Sequence, residues 1–296
     1  MAIPTDLVGT GVAPMEHRVD ERWTMAYAAS LGDTASCYLD TTAPGGVVAH
    51  PVFAVCPEWP VIVAGREDME SRGVPLAEVR TGVHATHDTV IHRLVRPGDV
   101  LRTSMETVAM MNISPGAMST IRLRTVDQDD RPVATTSQNA IYLGIPADGP
   151  DRPDPEPPGA IDGADRIGDP DEAPVRIDAG AAHTYTECAR IWNPIHTDQA
   201  VALAAGLPGL ILHGTANLAH GVSAVVAHRA DGRPELVRRI AGRFAAMVLM
   251  PSQLTVRIWQ ANETADGRRT VPFEVLNQDG QPAVKDGLVV LGPEEG

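Results

Sequence analysis

The chain repeats itself, and this repeat limits the possible folds more than any other feature of the sequence. Segments of the first half reappear in the same order in the second half, with spacings that drift as loop insertions would make them. The matched pairs are Val19-Asp20 with Ile177-Asp178, Tyr27 with Tyr185, Ser30 with Cys188, Asp40 with Asp198, and Asp127–Pro132 with Asn277–Pro282. The sequence therefore predicts two copies of one fold in tandem.

A segment dense in Pro, Gly, Asp and Glu separates the two copies. Such a composition buries too little apolar surface to fold alone, and its prolines favour an extended spacer. The predicted organisation is an N-terminal domain over 1–145, an acidic linker over 146–174 and a C-terminal domain over 175–296.

Each copy has the pattern of one buried helix followed by an antiparallel sheet. Residues 215–227 are rich in Ala and Val and almost free of charge, which is typical of a helix buried on all sides. Strand-like runs follow the helix in both copies, with turn signals between them. They are predicted over 100–109, 117–126 and 135–143 in the first copy, and over 242–248, 253–260, 270–276 and 287–291 in the second. The predicted fold class is α+β, with each sheet able to wrap its helix.

Composition narrows the class of function. The formal net charge is −14, and no basic run provides a face for nucleic acid. No apolar run is long enough to cross a membrane, and the first residues lack the features of a secretory signal. Three cysteines without metal-ligand spacing predict neither a disulfide framework nor a zinc site. The predicted location is the cytoplasm, with no metal and no cofactor.

The segment Asn193-Pro194-Ile195-His196, followed by Leu212-His213-Gly214, resembles the MaoC-like family of enoyl-CoA hydratases and hydroxyacyl-thioester dehydratases. The resemblance spans most of the second copy and is weaker in the first. It implies a tandem (double) hotdog, in which each half is an antiparallel sheet wrapped around a central helix. It also implies an acyl thioester substrate, carried by coenzyme A or by a carrier protein.

The resemblance assigns roles to residues of the second copy. His196 is the acid/base group, and Asn193 stands with it in the motif, with a role in holding the turn as its alternative. Gly214 would bind the thioester carbonyl through its N–H at the start of the central helix. His213, Tyr185 and Ile191 would line the substrate site. For the phosphates of coenzyme A, the candidates come from a local arginine cluster, in particular Arg238 and Arg239.

The family's catalytic carboxylate is missing from the second copy, because Ile191 stands where the family has Asp. The first copy is the reverse case, with Asp33 at the Asp position and Tyr38 at the His position. Its His50-Pro51 also lacks the N–H that Gly214 offers, since proline has none. The first copy is therefore predicted to be non-catalytic. Glu187 and Asp198 are local alternatives for the missing carboxylate.

Three functions stay open on these residues. The first is hydration or dehydration of an acyl thioester. The second is an isomerase, a cyclase or another lyase in the same pocket, since the apolar Ile191 would keep water away. The third is a thioester-binding or scaffold protein without catalysis. The tandem repeat already forms its own pseudo-dimer, so a monomer is one expectation and a homodimer of such units is the other.

Overall fold

The computed structural model describes residues 2–293. Its α-helices are α1 Glu21–Ser30, α2 Ser36–Leu39, α3 Val55–Ser71, α4 Leu76–Val79, α5 Ala181–Ala189, α6 Gln199–Ala204 and α7 Gly214–Arg229. Short 3₁₀ turns cover Thr5–Leu7, Pro194–His196 and Pro234–Leu236. The strands of the first half are β1 Ile3–Pro4, β2 Gly11–Arg18, β3 Gly82–Ile91, β4 Val100–Ile113, β5 Gly116–Val126, β6 Pro132–Leu143 and β7 Ala147–Asp148. Those of the second half are β8 Asp171–Ile177, β9 Val237–Phe244, β10 Ser252–Ile258, β11 Asn262–Glu263, β12 Arg269–Leu276 and β13 Pro282–Leu291.

The two halves contribute five main strands each to one continuous antiparallel sheet. Its order is β2-β4-β5-β6-β3-β9-β13-β12-β10-β8. Each half runs through the same elements: an edge strand, a short helix, a long helix and then four strands. The long helices α3 and α7 pack against the strands of their own half. The predicted unit of a helix wrapped by an antiparallel sheet is confirmed in both copies.

Equivalent elements of the two halves pair with each other at two places on the pseudo-twofold axis. Strands β3 and β9 pair antiparallel from Thr86↔Arg243 to Val90↔Arg239, so neither leaves an open edge. A bidentate ion pair crosses this seam, with Arg239 Nε 2.8 Å from Asp88 Oδ1. Helices α1 and α5 also pack together.

The strand predictions were wrong in two respects. The sequence analysis gave no strand over β2, β3 or β8, where polar residues interrupt the apolar pattern. The run predicted over 242–248 ends as a strand at Phe244, because Ala245 and Ala246 leave the ladder while still donating N–H bonds to Ala283 and Pro282.

The segment predicted as the linker is tied to the sheets along its length. Strand β8 begins at Asp171, inside that segment, because its backbone pairs with β10. Asp154 accepts from the buried Arg122 at 2.7 Å, and the Arg166 guanidinium lies 4.5 Å from the centre of the Trp259 ring. Among the described residues, none of the helices has the length and apolarity needed to cross a membrane.

Candidate active site

His196 closes the 3₁₀ turn Pro194–His196 and points into the protein, with 9% of its surface exposed. Its Nδ1 lies 2.8 Å from the carbonyl oxygen of Ile211. A carbonyl only accepts hydrogen bonds, so Nδ1 carries the proton and Nε2 keeps its lone pair. Burial lowers the pKa of His196 to about 4, and the Ile211 carbonyl opposes this shift. The ring is therefore a neutral base at neutral pH.

His213 stacks on His196, with ring centroids 3.7 Å apart and planes tilted by 25°. Its Nε2 is 3.2 Å from the hydroxyl of Thr186. Burial lowers the pKa of His213, and the neighbouring His196 lowers it further. His213 is thus a neutral ring that fixes the plane of His196.

Gly214 is the first residue of α7 and directly follows His213. The first N–H groups of a helix have no partner within it, and no side chain caps this end. A Cβ at Gly214 would lie 3.2 Å from the Phe244 ring, so glycine keeps this approach open. The free N–H and the positive end of this 16-residue helix therefore directly follow His213, whose ring stacks on that of His196.

None of the candidate carboxylates replaces the missing Asp. Ile191 is buried at that position and packs into the main core. Asp198 caps α6 by accepting from the N–H of Ala200 and Val201. The pKa of His196 responds to burial and to the Ile211 carbonyl, and no carboxylate of the described chain contributes to it.

The first half has an equivalent cluster with different chemistry. The rings of Tyr38 and His50 lie 5.5 Å apart, and Asp33 raises the pKa of His50 against the larger lowering by burial. Both nitrogens of His50 have partners, the Ser223 hydroxyl at 3.0 Å and the Val52 N–H at 3.1 Å. Asp33 also raises the pKa of His220 on α7 of the second half, against the larger lowering by burial. The cluster lacks both a free base and a helix-start glycine.

Tyr185, which is predicted to line the substrate site, is buried beside the start of α7. Tyr185 is 1% exposed, and its hydroxyl donates to Thr215 at 3.0 Å. It also lies 3.3 Å from the hydroxyl of Tyr27, its own repeat partner. Tyr185 therefore supports the first turn of α7 from the pseudo-twofold axis.

The two arginines predicted to contact phosphate have hydrogen-bond partners within the chain. Arg239 is held by Asp88 across the seam between the halves and donates to the Gly159 carbonyl. Arg238 donates to the carbonyl oxygens of Glu235 and Val237. Both guanidinium groups are thus committed to contacts within the chain.

A groove of about 270 Å³ lies on the outer side of the His196 turn. Asn193 lines it, and its carbonyl accepts from the N–H of His196, which closes the turn. His196 and Gly214 are not among the lining residues, so the groove is a neighbour of the buried site. The lining residues are His183, Thr186, Glu187, Trp192, Asn193, Pro194 and Thr197.

Three groups that position the candidate site were not predicted from the sequence. The Ile211 carbonyl fixes the proton on His196, Thr186 holds His213, and Phe244 covers Gly214. A backbone carbonyl leaves no signal in the residue type. Phe244 comes from β9, and only the fold brings it to the start of α7.

Two family models match the chain. A MaoC-like domain covers residues 166–279, and a FAS1-like dehydratase domain region covers residues 6–136. The enoyl-CoA hydratase ChsH3 of Mycobacterium tuberculosis is 37% identical over 103 residues, which is 35% of this chain and 32% of that protein.

Two solved structures have the same fold. A MaoC-like dehydratase from Phytophthora capsici aligns with a TM-score of 0.79 at 18% identity, over 96% of each chain. A double-hotdog protein from Mycobacterium tuberculosis aligns with a TM-score of 0.63 at 18% identity, again over 96% of each chain. The double-hotdog prediction is thereby confirmed.

The curated relatives match only in part, since the aligned segments span between 5% and 32% of their lengths. The two matched domains nevertheless lie in different halves of the chain, and the MaoC-like domain contains the His196 motif. Residues 166–279 thus match a MaoC-like domain, residues 6–136 match a FAS1-like dehydratase domain region, and the chain as a whole has the double-hotdog fold.

Proposed function

We propose that the protein adds water reversibly across the double bond of a 2-enoyl thioester, or removes it from the 3-hydroxyacyl product. The observation that supports this most directly is the free Nε2 of His196 beside the open N-terminus of α7. The MaoC-like domain and the enoyl-CoA hydratase name of the relative support the same reaction.

His196 would act as both base and acid. Its Nε2 takes a proton from water as the water oxygen bonds to Cβ, and the electron pair of the double bond moves to the thioester oxygen. The resulting imidazolium returns the proton to Cα, so one water is consumed. With a pKa of about 4, the imidazole is a weak base, but its protonated form is a strong acid toward the enolate.

The start of α7 would bind the oxygen of the thioester. Negative charge builds on that oxygen as water adds, and the N–H of Gly214 together with the helix dipole stabilises it. This electrostatic stabilisation of the thioester oxygen is strong because the surrounding core excludes water. Loss of one such donor typically costs about 10²–10³ in kcat.

A second reaction in the same pocket is supported by Ile191. Its buried side chain occupies the Asp position, and no carboxylate of the described chain influences the pKa of His196. Proton transfer at Cα without added water, as in an isomerase, needs only His196 and the N–H of Gly214. Exchange of the Cα hydrogen for deuterium without hydration would identify that chemistry.

The first experiment measures the hydration of crotonyl-CoA by the loss of enoyl absorbance. The variant His196→Ala is expected to lower kcat/KM by about 10²–10⁴, the usual contribution of an acid/base group. His228→Ala is the matched control, because His228 is exposed at the far end of α7. Equal activity of His196→Ala and wild type would refute the proposal.

The cytoplasmic location and the homodimer stay predictions. The same holds for the domain boundaries and for the choice between coenzyme A and a carrier protein.

A further inference from the structure

Two tyrosines that are equivalent in the repeat meet between α1 and α5. Tyr27 of α1 and Tyr185 of α5 are 0% and 1% exposed. Their hydroxyl oxygens lie 3.3 Å apart, and their ring centroids lie 5.7 Å apart. Burial raises the pKa of both phenols. Each side chain is therefore neutral at neutral pH and has one O–H to donate.

The two hydroxyls form a directed chain that ends on the first turn of α7. Tyr185 donates its only hydroxyl proton to the Thr215 oxygen at 3.0 Å. Tyr27 is therefore the donor between the two tyrosines, and the Tyr185 oxygen is the acceptor. Thr215 directly follows Gly214 at the start of α7. A side chain of the first half is thus linked, through one intervening hydroxyl, to the helix start of the second half.

The repeat shows that this chain of hydroxyls serves only one of the two helix starts. In the first half, Val52 stands at the position that Thr215 has in the second half. Valine has no hydroxyl, so Tyr27 lacks the equivalent acceptor in its own half and donates to Tyr185 instead. Both tyrosines therefore hold the helix that begins with Gly214.

Helix α5 also positions the acid/base side of the candidate site. Thr186, the neighbour of Tyr185 on α5, has its hydroxyl 3.2 Å from Nε2 of His213. The Tyr185 ring lies 4.9 Å from the His213 ring, which in turn stacks on His196. A shift of α5 would therefore displace the stacked imidazoles and the first turn of α7 together.

Tyr27 is a rigid anchor for this arrangement. Its ring meets Phe53 edge-on at 5.5 Å and lies 5.8 Å from the His50 ring. Helix α1 packs on α5, and the start of α7 has no side-chain cap of its own. Donors that stabilise a transition state must be held within about 0.5 Å of their productive positions. An anchor outside the helix therefore has a catalytic consequence.

We propose that Tyr27 of the first half is a positioning residue for the candidate site of the second half, acting through Tyr185 and Thr215 on the N–H groups at the start of α7. This inference rests on the proposed function, because it takes those N–H groups to bind the thioester oxygen. The first half then contributes to catalysis without a reactive group of its own. Since charge builds on the thioester oxygen only in the transition state, loss of the anchor lowers kcat and leaves KM unchanged.

The kinetic test is a double-mutant cycle on the hydration of crotonyl-CoA by the full chain. Tyr185→Phe is expected to lower kcat about tenfold and Tyr27→Phe about threefold, both with KM unchanged. The double variant should have the kcat of Tyr185→Phe alone, because Tyr27 acts only through Tyr185. Tyr38→Phe is the matched control and should keep the wild-type kcat. It removes another buried phenol hydroxyl of the first half, one without a hydrogen-bond partner among the described residues.

Amide hydrogen exchange tests the same link without catalysis. The N–H groups of Ala216 and Asn217 both donate to the His213 carbonyl and close the first turn of α7. Their exchange is expected to be about threefold faster or more in Tyr27→Phe and Tyr185→Phe than in the wild type, because the turn opens more often. Tyr38→Phe should exchange as the wild type does.

The two readouts separate this inference from the proposed function. Wild-type kcat in Tyr27→Phe, or losses that multiply in the double variant, would overturn the inference even if exchange changes, and the hydratase proposal would stand. If the wild type does not hydrate crotonyl-CoA but exchange at Ala216 and Asn217 is faster in both variants, the hydratase proposal fails and the anchoring of α7 by Tyr27 stands. Without hydration and without a change in exchange, both fail.

Discussion

At the scale of the residue, His196 is a base whose partner is a backbone carbonyl. The Ile211 oxygen holds the ring in one tautomer but adds no negative charge to stabilise the imidazolium. Stacking on His213 fixes the plane of the ring, and burial keeps it neutral. The His196 ring is therefore well oriented, but no negative charge stabilises its imidazolium form. We expect the residue at the Asp position, Ile191, to limit the rate for this reason.

Ile191→Asp would restore the family's carboxylate. We expect kcat for crotonyl-CoA hydration to rise by about tenfold or more, since a carboxylate beside the imidazolium supports acid/base catalysis. Stability should fall by about 1–3 kcal/mol, because Ile191 is buried in the core. Ile191→Asn is the matched control with nearly the same shape and no charge. A rate for the Asp variant no higher than that of the Asn variant would contradict the prediction.

The pH profile of the wild type reports directly on His196. Since its pKa is lowered to about 4, the base form is complete at pH 7 and persists well into the acid range. We expect kcat/KM to stay level from neutral pH down to about 5 and to fall below that as Nε2 is protonated. An acid limb near the ordinary imidazole value of about 6.5 would show that the ring is solvated in the working enzyme. Circular dichroism at each pH separates this titration from unfolding.

The motif predicts His196 and Gly214 because the roles proposed for them follow from residue type and spacing. It could not identify the contacts that depend on the other half of the chain. Arg239 looked available for phosphate because its partner, Asp88, lies on a strand of the first half. Tyr185 looked like a binding residue because nothing in its neighbourhood along the chain shows that Tyr27 packs against it.

At the scale of the element, α7 was predictable because its composition is apolar on every face, and β3 was not. Strand β3 alternates histidine, threonine and aspartate, so it has no apolar stripe. It is a strand because β6 and β9 pair with it on both sides. Polar residues in a central strand are a sign that tertiary pairing and function override local propensity.

Gly221 sets how closely α7 packs on the sheet. A Cβ there would come within 2.3 Å of the Phe273 ring, so the helix or the ring must move to admit it. We expect Gly221→Ala to lower the free energy of unfolding by about 1–3 kcal/mol, as overpacked core substitutions do. Gly159→Ala is the control, since no atom lies within 4 Å of a Cβ at that position. Chemical denaturation of both variants measures the difference, and equal stability would show that the helix shifts at no cost.

At the scale of the whole molecule, the two repeated halves share one fold but differ in the chemistry of their equivalent positions. The second half keeps a helix that starts with glycine and a free base. In the first half the long helix starts at Val55, Pro51 follows His50 where Gly214 follows His213, and both nitrogens of His50 have partners. The tandem repeat allowed this arrangement to be predicted from sequence. The polarity of the first half's interior was not predicted, because its buried polar groups, such as His87 on β3 and Glu58 on α3, lie on separate elements that meet only in the assembled fold.

The same buried groups give the fold a stability optimum in pH. Burial lowers the pKa of His50, His87, His196 and His220 to about 4, 3, 4 and 4. Below about pH 6.5 the unfolded chain binds protons that the folded chain refuses, so stability falls as the pH drops toward 4. Glu58 acts in the opposite sense.

Because the folded pKa of Glu58 is raised to about 8, its contribution is complete below about pH 4.5 and is lost as the pH rises toward 8. Above about pH 6.5 the histidines no longer contribute a slope, and Glu58 remains. We therefore expect the thermal midpoint to be highest near pH 6.5, to fall steeply on the acid side and to fall gently up to pH 8. Glu58→Gln should flatten the alkaline side and steepen the acid side between about pH 4.5 and 6.5, where Glu58 opposes the histidines. An alkaline slope that survives in Glu58→Gln would mean that another group is responsible and that Glu58 is ionised in the folded protein.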